Sequence, residues 1–202
     1  MDHIYRAIGR FMVEFSQLQH MIEYMTVISV TQDEDKESWA RAWAVLSGRT
    51  AQPVVNAFFS LCVEIKQDEW SSDDFALLKS VRKEIQHIIE ERNRIAHDVW
   101  SLGHPNYPVP EGSDALRFKY SVSTRQGALR AATPITVAEL DELSDDANRL
   151  RVIISYIGLL LRPISSADGQ DGAESAASDN SPSGWFILNE DGQVIRKIDQ
   201  ES

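Results

Sequence analysis

Cysteine is almost missing from this chain: one in 202 residues, Cys62. A single thiol excludes an internal disulfide and any cysteine-based metal site. Its neighbours Phe58, Phe59, Leu61 and Val63 suit a buried, inert sulfur better than a nucleophile. Long apolar runs are missing too. The longest, residues 152–161, is interrupted by Ser155 and Tyr156 and is about half of what a bilayer requires. Asp2, Arg6, Arg10 and Glu14 are spread through the first turns, which leaves no continuous apolar region for a signal peptide. The expectation is a cytoplasmic protein with no membrane partner. No G-x-S-x-G, P-loop or dinucleotide fingerprint occurs, so no cofactor is expected.

Positive charge is also scarce. The formal net charge is -11, which by itself disfavours nucleic acid, but its distribution is uneven. Residues 165–202 contain Asp168, Asp171, Glu174, Asp179, Glu190, Asp191, Asp199 and Glu201 against Arg196 and Lys197, a balance of -6. The first 164 residues carry the remaining -5. Their body is only mildly acidic, and local patches decide what it can bind.

What is present is helical periodicity. Ile4, Ile8, Phe11, Phe15, Leu18, Ile22 and Met25 step by four and three, which predicts a long helix over 2–30 packed lengthwise on another. A second helix is expected over 36–46, with Trp39 and Trp43 as packing residues and Gly48 as its stop. A third is expected over 52–66, with Pro53 in its first turn. A fourth begins after Ser71-Ser72-Asp73-Asp74, where hydroxyls and acids suit a helix N-terminus, and runs to about His97. Pro105, Pro108 and Pro110 make 103–112 a loop. Leu116, Phe118, Tyr120 and Val122 alternate with Arg117, Lys119, Ser121 and Ser123, a period of two that predicts a strand, a turn at 124–127 and a return over 128–132. Thr136 and Glu139 form a capping-box pattern ahead of a fifth helix, which Pro163 closes. Residues 165–184 are rich in Ser, Gly, Ala and Asp and read as a flexible linker. After it, 185–188 and 193–195 flank Asn189-Glu190-Asp191-Gly192, a pattern suited to a small hairpin that docks on the body or binds a partner. The expected fold is therefore an all-α bundle of about five helices over 1–164, with an inserted hairpin, followed by a flexible acidic tail over 165–202.

The fourth helix carries the chemistry. Leu78, Val81, Ile85, Ile88, Ile89 and Ala96 form its apolar stripe. At about 100° per residue, Arg92 falls within roughly 20° of Ile85. A guanidinium on an apolar seam needs a partner or a wet cleft, because desolvating it alone is costly. Asn93 and His97 are four apart and neighbour each other on the flank of the stripe.

The run Arg92-Asn93-Arg94-Ile95-Ala96-His97 resembles the Arg-x4–6-His signature of the HEPN superfamily. In that family the motif sits near the end of a long helix in a bundle of four or five. The resemblance covers the helix layout of 1–162 and not the tail. It implies a metal-independent endoribonuclease, of the kind used in toxin–antitoxin and defence systems, with RNA as substrate and a cognate inhibitor protein as a partner. It also implies a homodimer whose two copies of the motif share one cleft. Imidazole ordinarily titrates at about pH 6.5, so a histidine in the place of His97 suits general acid–base catalysis. Arg92 would grip the phosphate through parallel N–H donors, and Asn93 would hold the imidazole or the phosphate. In one toxin branch a tyrosine two residues beyond the histidine accepts nucleotides; Val99 stands there, and the resemblance does not extend to that regulation.

Arg117, Lys119, Arg125 and Arg130 occur with no acid between Ala115 and Ala138. Arg94, Arg117, Lys119 and Arg125, with Lys79, Arg82 and Lys83 of the fourth helix, are the expected RNA-facing rim. Other readings of the same residues stand beside these. His97 suits a helix C-terminus for electrostatic reasons alone, and Arg92 has Glu91 as a potential ion-pair partner. The family also contains non-catalytic dimerisation modules that bind a partner protein or nucleotide, and a plain helical adaptor needs no motif. His87 with Glu91, and His20 with Glu23, have metal-ligand spacing but no further ligands, and no metal is expected. Asp141, Glu142, Asp145 and Asp146 lie between apolar positions of the fifth helix and read as a solvated face.

Overall fold

The computed structural model describes residues 2–31, 36–123, 127–161 and 181–197. The described residues are mostly helical, with a small antiparallel sheet. The elements are α1 (Asp2–Val30), α2 (Lys36–Leu46), α3 (Ala51–Lys66), α4 (Ser72–His97), β1 (Val99–Ser101), β2 (Ala115–Ser123), β3 (Gly127–Ile135), α5 (Val137–Leu160), α6 (Pro182–Trp185), β4 (Phe186–Leu188) and β5 (Val194–Arg196). They form two compact units. One comprises residues 1–17 and 87–149, the other 18–86 and 150–202.

The first unit contains the sheet, in the order β1-β2-β3, both pairs antiparallel. The return strand, expected over 128–132, is longer and reaches Ile135, opposite Ala115. Pro134 is accommodated because β3 is an edge strand, where a missing N–H need not break a ladder. The turn at 124–126 lies outside the described residues. Strand β1 is an addition to the expected hairpin: three residues are too few to show a period, and its pairing with Leu116–Phe118 of β2 defines it. Ile4, Ala7, Phe11 and Phe15 of α1 are buried in this unit, as are Ile88, Ile89 and Ile95 of α4, Leu116 and Phe118 of β2, and Leu140 and Ala147 of α5. Helix α5 opens with the capping box its sequence predicts: Thr136 Oγ1 accepts from the Glu139 N–H at 3.1 Å, and Glu139 Oε2 accepts from the Thr136 N–H at 2.7 Å. Arg10 pairs with Asp141 at 2.9 Å and with Asp145. The acidic face of α5 is thus exposed but not wholly unpartnered; the hydrogen bond Arg10 donates to Asp141 and the charge of Asp145 raise the Arg10 pKa.

The second unit buries Leu18, Ile22 and Met25 of α1, Val54, Val55, Phe58, Phe59 and Cys62 of α3, Leu77, Leu78, Val81 and Ile85 of α4, and Leu150, Ile153, Ile154, Ile157 and Leu161 of α5. Burial pushes the Cys62 thiol up to about 12, so it stays protonated at neutral pH. Helix α2 ends two residues before Gly48, whose φ of 78° suits a residue without Cβ. Trp43 packs between Trp39 and His20, with ring centroids at 5.5 and 5.6 Å.

At the C-terminal end, residues 165–180 of the expected linker lie outside the described residues, but 181–184 are not linker. Pro182 is buried, and the Ser183 N–H donates to Asp74 Oδ1 at 2.7 Å. The expected terminal hairpin is present as β4 and β5, with Gly192 at φ 77° in its turn. Phe186 and Val194 are buried, the Val194 N–H donates to Glu84 Oε1 at 3.0 Å, and Ser80 Oγ donates to the Gly192 carbonyl at 2.8 Å. The hairpin therefore docks on α4 within this unit. No helix among the described residues is long and apolar enough to cross a membrane.

Candidate functional site at the end of helix α4

Through its last three turns α4 presents one face to the interior of the first unit. Ile88 and Ile95 are buried, whereas Ala96, assigned to the stripe on sequence grounds, is exposed. Arg92 lies four residues after Ile88 and three before Ile95, so its side chain leaves the buried ridge itself. Its guanidinium carbon stands 5.5 Å from the centroid of the Phe15 ring of α1, a geometry in which the ring face attracts the cation. Arg92 Nη1 donates to Asn93 Oδ1 at 3.2 Å, and Arg92 Nε is buried with no hydrogen-bond partner. No carboxylate among the described residues pairs with it. The expected competitor, Glu91, is occupied by other arginines.

Asn93 and His97 are exposed, one turn apart. His97 is the last residue of α4, and no hydrogen bond from the described residues reaches its imidazole. The arrangement is a half-buried cation lying on an aromatic ring, with an amide beside it and an imidazole one turn beyond that amide. Its donors suit an anion with planar or tetrahedral oxygens, such as a phosphate.

The residues expected to rim this motif are not all exposed. Arg117 is a correction: it is buried, at 8% exposure, with Nη1 3.1 Å from Glu91 Oε2 and Nε 3.4 Å from Asp98 Oδ2. There its guanidinium faces those two carboxylates and not the solvent expected of a rim. Strand alternation placed it correctly opposite Phe118 but could not tell which face covers the helix. Arg94 is about half exposed and engages Glu91 and, at 3.9 Å, Glu90. Lys119 is exposed, and Arg125 lies outside the described residues. Of the motif's own residues, Arg92 and Asn93 are brought into contact; His97 follows on the same helix. The residues that sequence reasoning missed are Phe15, read only as one step of a hydrophobic seam, and Asp98, whose partner is 19 positions away in sequence.

A separate apolar cavity of about 620 Å³ lies in the second unit, lined by Val30, Ala42, Val45, Leu46, Ala57 and Leu61 among others. It contains none of the motif residues. No group of three or more His, Cys, Asp or Glu with metal-binding geometry occurs among the described residues. Comparison with protein-family models, with curated proteins and with solved structures finds no match to this chain.

Proposed function

We propose that the chain is a HEPN-like, metal-independent endoribonuclease acting as a homodimer, with Arg92 binding the scissile phosphate and His97 moving protons. The observation that carries this reading is the state of Arg92: a guanidinium on a buried helix ridge, laid on Phe15, with no carboxylate partner among the described residues. A structural arginine in such a place would be expected to carry an ion pair, because desolvating part of an unpaired charge is costly. An arginine that has to receive an anion must leave its donors open. Asn93, bonded to Nη1, orients the guanidinium. His97, exposed at the helix end, is free to reach a 2′-hydroxyl or a leaving 5′-oxygen. Cleavage of this kind needs the 2′-oxygen to displace the 5′-oxygen at phosphorus as one group takes a proton and another gives one. A second protomer's motif facing the first would supply two imidazoles for those two roles.

The test is incubation of the purified protein with total RNA and transfer RNA in the presence of chelator. The wild type should cleave, and Arg92→Ala and His97→Ala should each lose about 100-fold or more while melting as the wild type does and keeping its sedimentation as a dimer. Undiminished cleavage by either variant rules the assignment out.

One observation favours a second reading, a non-catalytic module that binds a partner protein or nucleotide. Nothing among the described residues holds the His97 ring, whereas a working acid–base pair is usually oriented by a further group. If the wild type binds RNA or nucleotide through Arg92 without cleaving it, this second reading replaces the first.

A further inference from the structure

We infer that Arg117 is a positioning residue for the motif, clamping the helix segment that carries Arg92, Asn93 and His97 at both of its ends. This rests on the proposed role of that segment but is measurable without it. The two carboxylates Arg117 engages flank the motif: Glu91 immediately precedes Arg92, and Asp98 immediately follows His97. One guanidinium from β2 therefore spans the length of the motif. The side chains are closed off from water, at 9% exposure for Arg117, 12% for Glu91 and 13% for Asp98, so the pairs are little screened.

Two consequences follow. The first is mechanical. The last turn of a helix frays because its carbonyls have no partners within the helix, and His97 occupies that turn. Here the Asp98 N–H continues the helix by donating to the Arg94 carbonyl at 2.9 Å, and Trp100 Nε1 donates to the Ile95 carbonyl at 3.0 Å. Arg117 pins the same turn through Asp98, and the β1–β2 register sets Trp100 opposite Arg117. The second is electrostatic. Glu91 gives one oxygen to Arg94 and the other to Arg117. Both carboxylates flanking the motif are thereby neutralised, and of the three arginines Arg92 is the one that meets no carboxylate among the described residues. Without Arg117, Glu91 and Asp98 would compete for Arg92 or repel a phosphate.

Removing a buried cation and leaving two buried carboxylates threatens folding, so Arg117→Ala is not the informative variant. Arg117→Lys keeps the charge but not the planar fork that reaches two acceptors at once. The neutral set Arg117→Met with Glu91→Gln and Asp98→Asn removes all three charges together. For Arg117→Lys, the clamp predicts faster amide hydrogen exchange confined to residues 94–98 and a shifted His97 imidazole signal by NMR, with exchange unchanged in α3. If the wild type cleaves RNA, kcat should fall about 10- to 100-fold, the scale for a displaced catalytic group, with KM little altered. The neutral set should regain the thermal stability lost in Arg117→Ala but not the kcat. A wild type that does not cleave, combined with the local exchange effect, sinks the nuclease reading and upholds the clamp. Unchanged exchange at 94–98 and an unchanged His97 signal in Arg117→Lys overturn the clamp, as does an exchange increase spread evenly over the unit.

Discussion

Individual side chains show where physical necessity is tightest. Gly158 of α5 sits so close to Met25 of α1 that an added Cβ would lie 2.5 Å from Met25 Cγ and Sδ and 2.7 Å from its Cβ. The Met25 Cβ is fixed to the backbone and cannot swing aside as the thioether can. Replacing a helical glycine by alanine normally stabilises by about 1 kcal/mol; overpacking costs about 1–3 kcal/mol. Gly158→Ala should therefore lose stability by roughly 1 kcal/mol or more instead of gaining it, as read by urea denaturation. A gain would show that the two helices separate readily there. Arg92 and Arg117 make the complementary lesson. Both guanidiniums lie beside the end of α4, one from the helix and one from β2, yet Arg117 meets a carboxylate on two sides and Arg92 meets none among the described residues. Residue type alone does not distinguish them.

Elements are joined by a few polar groups, and Asp74 is the clearest. It is buried at 2% exposure, third in α4. Its Oδ2 accepts from the Ser71 N–H at 2.9 Å and the Ser71 hydroxyl at 2.7 Å, while Oδ1 accepts from the Ser183 N–H. Burial alone would raise its pKa; the bonds from Ser183 and Ser71 outweigh it and hold the carboxyl below its ordinary value. A depressed folded-state pKa contributes stability above the unfolded value of about 3.9, and that contribution is lost as pH falls through the folded value. Asp74→Asn should therefore cost about 1–2 kcal/mol at pH 7, with a gap to wild type that narrows below about pH 4. A gap independent of pH between 7 and 3 would mean the charge contributes nothing. The helix-start signal at 71–74 was legible in the sequence; that its acid also fastens a segment 109 positions later was not.

At the scale of the whole molecule, the C-terminal hairpin belongs to the second unit's core rather than to a free tail. Phe186 and Val194 are 1% and 0% exposed. Ending the chain after residue 180 should lower stability by about 3 kcal/mol or more, at 1.5–3 kcal/mol for each large apolar side chain returned to water. Chemical denaturation of the two lengths measures this, and equal midpoints would show that the hairpin adds nothing. The acidic balance of -6 beyond residue 164 is then partly a property of a docked element, in which Arg196 lies over the Tyr156 ring at 5.2 Å and not in solvent alone.

Local pattern by itself determined helices α1 to α5; α6, four residues long, fell where a linker was expected. Steps of three and four, a glycine after Leu46, a capping box at Thr136 and the Ser-Ser-Asp-Asp run at α4 place their boundaries within about three residues of those observed, α4 starting at Ser72 rather than after Asp74, because helix formation is governed by neighbours three and four positions away. The same periodicity located Arg92 on an apolar ridge. Only the tertiary structure decided what surrounds it: the ring of Phe15 lies 77 positions earlier, and Arg117 takes up Glu91 from 26 positions later. Charge pattern on a strand is blind to which face another element covers, so Arg117 reads as surface and is buried. Three-residue β1 has no period to read and exists because β2 pairs with it. Contacts between distant parts of the chain leave no spacing in the sequence, and here they settle which cation is tied and which stays open.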